Sequence, residues 1–292
     1  MRDDLTISGR ESIADWIETT VLARRQSAWA VDSVATTALE ELGLNEASTQ
    51  GGLLSLSRRQ KHLGDDYPFV VDDLAIRRKK HAMSMPYTAF LLLTANGTCR
   101  QLVHKTSTSA MERAFEDLVA LAMRSMWGRG SFALRFGWPS EEGRPPEFDL
   151  AIVWLAKRMG LPIGSGYRPP RRKDGGVDVV AWRPFPDGKS GFPIVLIQCT
   201  LQTDITNKAA DVDKRLWSSW LVLDVDPVTA LAVPEVVPSG EQWNEITLQS
   251  MLLDRIRLTG LCGSQDLPLS IHVWCADSLE SLSTRLAGAE QK

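Results

Sequence analysis

Lys173-Asp174-Gly175-Gly176-Val177-Asp178-Val179-Val180-Ala181-Trp182 is followed, one turn later, by Phe192-Pro193-Ile194-Val195-Leu196-Ile197-Gln198-Cys199-Thr200. The first run leaves a glycine turn and alternates a carboxylate with β-branched residues. The second is an apolar strand that closes on a polar amide. Between them, Pro186-Asp187-Gly188-Lys189 has hairpin-turn chemistry, because Asp-Gly tolerates the positive φ of a tight turn. Folding the two strands back on each other brings Asp178 and Gln198 near one edge. An acid on one strand and an oxygen donor on the next suit a divalent metal ion. An acid inside a β-branched run is costly unless it is paired or metal-bound.

The surrounding chain supplies a frame for this hairpin. Ser109-Ala110-Met111-Glu112 has the form of a capping box, opening a helix to about Trp127 that buries Met111, Phe115, Leu118, Ala122 and Met126. Ser131 to Phe136 alternates as a strand. Pro145-Pro146 then leads into a helix with Phe148, Ile152, Leu155 and Met159 on one face, ended by Gly160. After the hairpin come a helix over Asn207 to Leu221, a strand over Thr229 to Val233 and a helix near Ile246 to Leu258. A strand over Leu269 to Trp274 and a helix near Ser278 to Leu286 complete the order. This is an α/β core with a mixed central sheet flanked by helices.

Residues 1–105 read instead as a helical N-terminal module, with 106–292 forming the α/β domain. Glu11 to Ala23 carries Ile13, Trp16, Ile17 and Val21 at helical spacing, with Ser8 or Ser12 as the cap. Val31 to Leu42 stops at Gly43, and Leu53 to Leu63 is a third helix bearing Arg58, Arg59, Lys61 and His62. Tyr87 to Ala95 fits a buried helix or a strand, ended by Asn96-Gly97. Arg77-Arg78-Lys79-Lys80-His81 is a local basic run that can meet a phosphate backbone, although such runs are mostly solvated faces.

The 292 residues carry a net charge of −3, with 43% hydrophobic and 24% charged side chains, an ordinary globular balance. No global basic field points to nucleic acid, so any such surface is local. Apolar runs such as Phe90-Leu91-Leu92-Leu93 are too short to span a bilayer, and the N-terminus leads into polar residues without an apolar signal core. Cys99, Cys199, Cys262 and Cys275 are scattered, without zinc-ligand spacing, which fits reduced thiols in the cytoplasm. A GxSxG elbow and a GxxxxGK[ST] phosphate loop are both absent, so neither a serine hydrolase nor an ATPase of its own is expected.

The segment from about Ala110 to Trp220, through "AFEDLV", "DGGVDVVAW" and "IVLIQCT", resembles the PD-(D/E)xK restriction-endonuclease-like nucleases, in their prokaryotic defence-associated branch. That family places a glutamate on a helix, a metal-binding aspartate on one strand, and Glu or Gln, a spacer and a lysine on the next. Glu116 matches the helix glutamate, Asp178 the aspartate and Gln198 the Glu/Gln position. The resemblance implies a metal-dependent endonuclease holding Mg²⁺ or Mn²⁺ through Asp178, Glu116, Gln198 and the backbone carbonyl of Cys199. Thr200 stands where the lysine belongs and carries no charge. Lys208 is the expected replacement, since some branches move the lysine onto the following helix.

The same resemblance implies a bacterial anti-phage or restriction role on DNA, although nothing in the residues separates DNA from RNA. With no motor motif, a partner defence subunit such as an ATPase is expected to deliver the substrate. Family members often dimerise, so a second copy is a further expected partner; a membrane is not. Gln198 and Thr200 also permit an inactive nuclease-fold subunit that binds nucleic acid or a partner without cutting, and an RNA-directed nuclease toxin is a third alternative.

Overall fold

The computed structural model describes residues 9–98, 108–140, 142–168, 174–202 and 204–289. In chain order the elements are α1 (Arg10–Ala23), β1 (Ala28–Ala30), α2 (Val31–Leu42), α3 (Glu46–Leu63), β2 (Phe69–Val71), β3 (Ala75–Arg78) and α4 (Pro86–Thr98). There follow α5 (Thr108–Arg124), β4 (Phe132–Arg135), α6 (Phe148–Met159), β5 (Val179–Trp182), β6 (Ile194–Cys199) and α7 (Lys214–Trp220). The last are β7 (Val228–Ala232), α8 (Glu241–Thr247), β8 (Met251–Leu253), α9 (Arg255–Cys262) and α10 (Leu269–Ala289). The chain divides into two compact units. One comprises Met1–Met111, Pro234–Pro238 and Arg255–Lys292, the other Glu112–Val233 and Ser239–Asp254. The expected boundary at 105/106 lies outside the described residues, and residues from Arg255 onward pack with the N-terminal unit instead of the α/β core.

The first unit is therefore built from both ends of the chain. Its core joins Ile13, Ile17 and Val21 of α1 to Leu53 and Leu56 of α3 and to Tyr87 and Leu91 of α4. It is not purely helical, because a small antiparallel sheet of order β1-β3-β2 contributes Trp29, Phe69 and Ile76 to the same core. Two of the expected helix starts differ. Gly9 takes the N-cap of α1, with no side-chain cap bond, and Ser8 lies outside the described residues. Asn45 starts α3 seven residues before Leu53 by accepting the Ser48 N–H, a cap the apolar pattern did not reveal. Tyr87 to Ala95 is a helix that runs on through Asn96-Gly97. Leu269 to Trp274 is the start of α10 and not a strand, since Ile271, Cys275 and Leu282 recur at helical spacing on its buried side.

Glu11, Asp15 and Glu18 lie along one face of α1 and are held there by buried cations. Arg59 of α3 reaches Asp15 and Glu18 through Nη1 at 2.6 and 2.7 Å and Glu11 through Nη2 at 2.7 Å. Arg255 of α9 forks onto both oxygens of Asp15 at 2.8 Å, and the hydroxyls of Tyr67 and Tyr87 donate to Glu18. Burial alone would raise the Asp15 carboxyl, but Arg255 and Arg59 outweigh it and hold Asp15 below the ordinary range. At Glu18 burial wins over the same cations and the carboxyl is raised. The basic run of β3 is largely spent on its own unit: Arg77 pairs with Asp72, Arg78 donates to the Leu22 carbonyl, and Lys79 Nζ donates to the Gly64 and Asp65 carbonyls.

The second unit holds a five-stranded sheet of order β4-β5-β6-β7-β8. Its first three strands are antiparallel neighbours and its last three parallel, the mixed sheet that the pattern predicts. The β5–β6 hairpin pairs Val179 with Ile197 and Trp182 with Ile194. Against it pack Phe148, Ile152 and Leu155 of α6 and Trp217 and Trp220 of α7. Phe136, Phe148, Trp217 and Trp220 form a chain of edge-to-face rings, each pair contributing about 0.5–1.5 kcal/mol beyond burial of area.

Two expected helices of this unit are broken. Asn207 to Leu221 is a 3₁₀ turn at Asn207–Ala210 followed by α7, because Asp213 caps α7 by accepting the Arg215 and Leu216 N–H groups. Within Ile246 to Leu258, Met251–Leu253 is drawn into the sheet beside Ala230–Ala232, leaving α8 before it and α9 after it. No helix among the described residues is long and apolar enough to cross a membrane. Cys199, Cys262 and Cys275 are free thiols, and Cys99 lies outside the described residues.

Candidate active site

The glycine turn that leads into β5 is clamped by the aromatic core. Gly175 and Gly176 both adopt positive φ, 67° and 78°, and the Trp217 indole N–H donates to the Gly175 carbonyl. Asp174 caps this turn by accepting the Gly176 N–H at 2.9 Å, the structural role its sequence position suggests. Asp178 follows, fixed on three sides. Its N–H donates to Ile197, its carbonyl accepts from Phe136 and Gly137, and its carboxylate Oδ2 accepts the Cys199 N–H at 2.7 Å. The aspartate thus brackets Gln198, binding the residue before it through main chain and the residue after it through side chain.

Glu116 reaches the same place from α5. Burial and then the charge of Asp178 push its carboxyl up to about 8, against the pull of Arg135, whose Nη1 lies 3.6 Å from Oε2. Asp178 is likewise pushed up to about 7, chiefly by burial, with the Cys199 N–H opposing and Asp174 and Glu112 reinforcing. The Cys199 thiol is raised well above its ordinary value by burial and then by Asp178 and Glu116, so it stays a neutral thiol. Three groups on three elements therefore register one concentrated negative field. Arg135 itself is nearly fully buried and also pairs with Asp117 at 3.1 Å, so it anchors the rim of the cluster without neutralising it.

Gln198, between the two β6 residues that Asp178 bonds, brings a neutral amide. Its Nε2 donates to Asp211 Oδ2 at 3.0 Å, while its Oε1 is shut off from solvent and has no hydrogen-bond partner. A buried acceptor left without a partner and two carboxylates whose charged forms are disfavoured are oxygen donors of the chemistry that a hard divalent cation takes. The residues present therefore fit Mg²⁺ or Mn²⁺, with Asp178, Glu116 and the Gln198 oxygen as side-chain donors and the Cys199 carbonyl next in line. Among the described residues, no three His, Cys, Asp or Glu side chains make a metal cluster by themselves; here the third donor is an amide.

Lys208 does not bond Asp178. Its amine lies 3.1 Å from Asp211 Oδ2, although its positive charge is felt at Asp178. Thr200 is tied into a turn, its hydroxyl accepting the Gln202 N–H, and takes no lysine-like position. Two further residues shape the site and were missed in the sequence. A Cβ on Gly137 would sit 2.7 Å from Glu116 Oε2, so a side chain there would push that carboxylate aside. Asp211 accepts from both Gln198 and Lys208, yet its position inside an apparent helix hid it. A glycine directly after a strand was the one available signal for the first; the second had none. No known protein family, curated protein or solved structure matches the chain.

Proposed function

We propose that the α/β unit is a metal-dependent nuclease of the PD-(D/E)xK kind, with a restriction-endonuclease-like fold, and that it hydrolyses phosphodiester bonds in DNA. The observation that carries this reading is that Asp178 bonds the residues on either side of Gln198 and its charge is felt at Glu116, while the Gln198 oxygen is left without a partner. A bound Mg²⁺ would polarise the phosphate and activate water. The chain's own residues supply the rest. Asp178 and Glu116 present carboxylates whose mutual repulsion makes an external cation welcome. Gln198 offers an oxygen without adding a third charge. Arg135 steadies Glu116, and Lys208 brings a positive charge toward the phosphate side. The bacterial defence role, a partner ATPase, a homodimer and a cytoplasmic setting belong to the same proposal and rest on the resemblance alone.

The test is cleavage of supercoiled and linear plasmid with Mg²⁺, Mn²⁺ or EDTA, beside Asp178→Ala. Metal-dependent cutting that the variant loses supports the reading; cutting that survives in the variant removes the centre from Asp178. A second reading, a nuclease-fold subunit that binds metal and nucleic acid without cutting, is favoured by one observation. The Lys208 amine is bonded to Asp211, and Thr200 supplies no substitute. Metal binding with no cleavage in the presence of either ion supports that alternative.

A further inference from the structure

Asp211 belongs to a built corner of the α/β unit. Its backbone carbonyl lies against Gly176, where a Cβ would come within 2.9 Å, so the second glycine of the turn admits this loop beside Asp178. On either side Ala209 and Val212 are buried, and Ser250 Oγ clamps the Ala209 carbonyl at 2.7 Å. One carboxylate oxygen of Asp211 accepts from the Gln198 amide at 3.0 Å and from the Lys208 amine at 3.1 Å. An amide held by its nitrogen has its oxygen turned the other way, and that oxygen is the one left without a partner.

From this geometry we infer that Asp211 is a positioning residue, which fixes which end of the Gln198 amide is left free for a ligand and where the Lys208 amine rests. The inference rests on the nuclease reading for its purpose, and on the hydrogen bonds for its existence. It also accounts for glutamine at position 198. A glutamate there would set its carboxylate against that of Asp211 at hydrogen-bond distance, in place of the amide N–H that donates now. Gln198 and Asp211 are thus a matched pair, and changing either alone breaks what changing both restores.

The experiment is a double-mutant cycle of Gln198→Glu, Asp211→Asn and the double variant in the full chain at pH 8. Folding is checked by circular dichroism. It is read first by metal-free melting temperature. Gln198→Glu lowers it, and adding Asp211→Asn, whose amide can donate to the new carboxylate, brings it back. It is read second by Mn²⁺ titration. Asp211→Asn alone weakens binding about tenfold, the usual range for a residue that orients a ligand, and Gln198→Glu favours binding more in the Asp211→Asn background than in the native one. In a cleavage assay Asp211→Asn lowers kcat and leaves KM for DNA nearly unchanged. Additive melting temperatures overturn the pairing. Additive Mn²⁺ affinities in a chain that binds Mn²⁺ overturn the positioning role. A native chain that binds no Mn²⁺ instead refutes the metal reading, while the melting cycle still decides the pair.

Discussion

In the helical unit, Glu11, Asp15 and Glu18 meet two buried guanidiniums and two tyrosine hydroxyls, each of which donates to at least one of the acids. In the α/β unit, Asp178 has a backbone N–H as its side-chain partner, Glu116 feels the charge of Asp178, and one guanidinium is shared between Glu116 and Asp117. The same residue types are buried for opposite ends. The first cluster carries its own counter-charge, so Asp15 is held ionised, and its role is to tie α1, α3 and α9 together. In the second cluster burial is not outweighed by positive charge, so both carboxyls are raised, Glu116 to about 8 and Asp178 to about 7. Burial is common to both clusters, and charge balance separates Asp15 from Glu116 and Asp178.

The comparison is broken most severely by Arg59→Ala, which leaves buried carboxylates without their common partner. Urea unfolding should show a loss of about 3–5 kcal/mol, with hydrogen exchange rising first on α1 and α3. A loss under about 1 kcal/mol, the range of a surface pair, would mean that the cluster is not structural. Gly137→Ala should act oppositely, sparing stability while displacing the Glu116 carboxylate. Mn²⁺ affinity is expected to fall about tenfold, as for other disturbed ligand supports, and an unchanged affinity would remove Glu116 from the donor set.

A smaller effect comes from Glu235, which belongs to the helical unit but lacks a cation of its own at bonding distance. Its Oε2 is buried without a partner, and burial pushes its carboxyl up to about 7 from 4.5. The folded protein binds this proton more tightly than the unfolded chain does. The resulting stability is full below about 4.5 and is lost as pH rises through about 7. Relative to the native chain, Glu235→Gln should gain on the order of 2 kcal/mol between pH 4.5 and 8. Equal pH profiles for the two proteins in chemical denaturation would show that the carboxyl is solvated.

Local chemistry was legible in the sequence and long-range pairing was not. The Asp-Gly turn and the alternation on either side define the β5–β6 hairpin, and with it the approach of Asp178 to Gln198. The helix that carries Glu116 was legible because it is strongly amphipathic, whereas Glu116 itself was singled out only through the family resemblance. Met251–Leu253 and Leu269–Trp274 are short apolar runs whose state depends on what they pair with. The sheet took the first and a helix the second, reversing the expectation for both. Asp211 and Gly137 matter only because loops distant in sequence come together there, and no local pattern marks them. The acids of α1 did leave a trace, at positions 11, 15 and 18 along one helical face, but their arginine partners lie more than 40 residues away.

The most direct measurement is calorimetric titration of the full chain with Mn²⁺ at pH 8, for the native protein, Asp178→Asn and Glu116→Gln, together with their metal-free melting temperatures. The account predicts saturable binding in the native protein and loss of it in both variants. It also predicts melting temperatures at or above the native value, because each substitution removes an uncompensated buried charge. Absence of binding in the native chain, or binding that persists unchanged in both variants, would contradict the claim that these two acids are set for a cation.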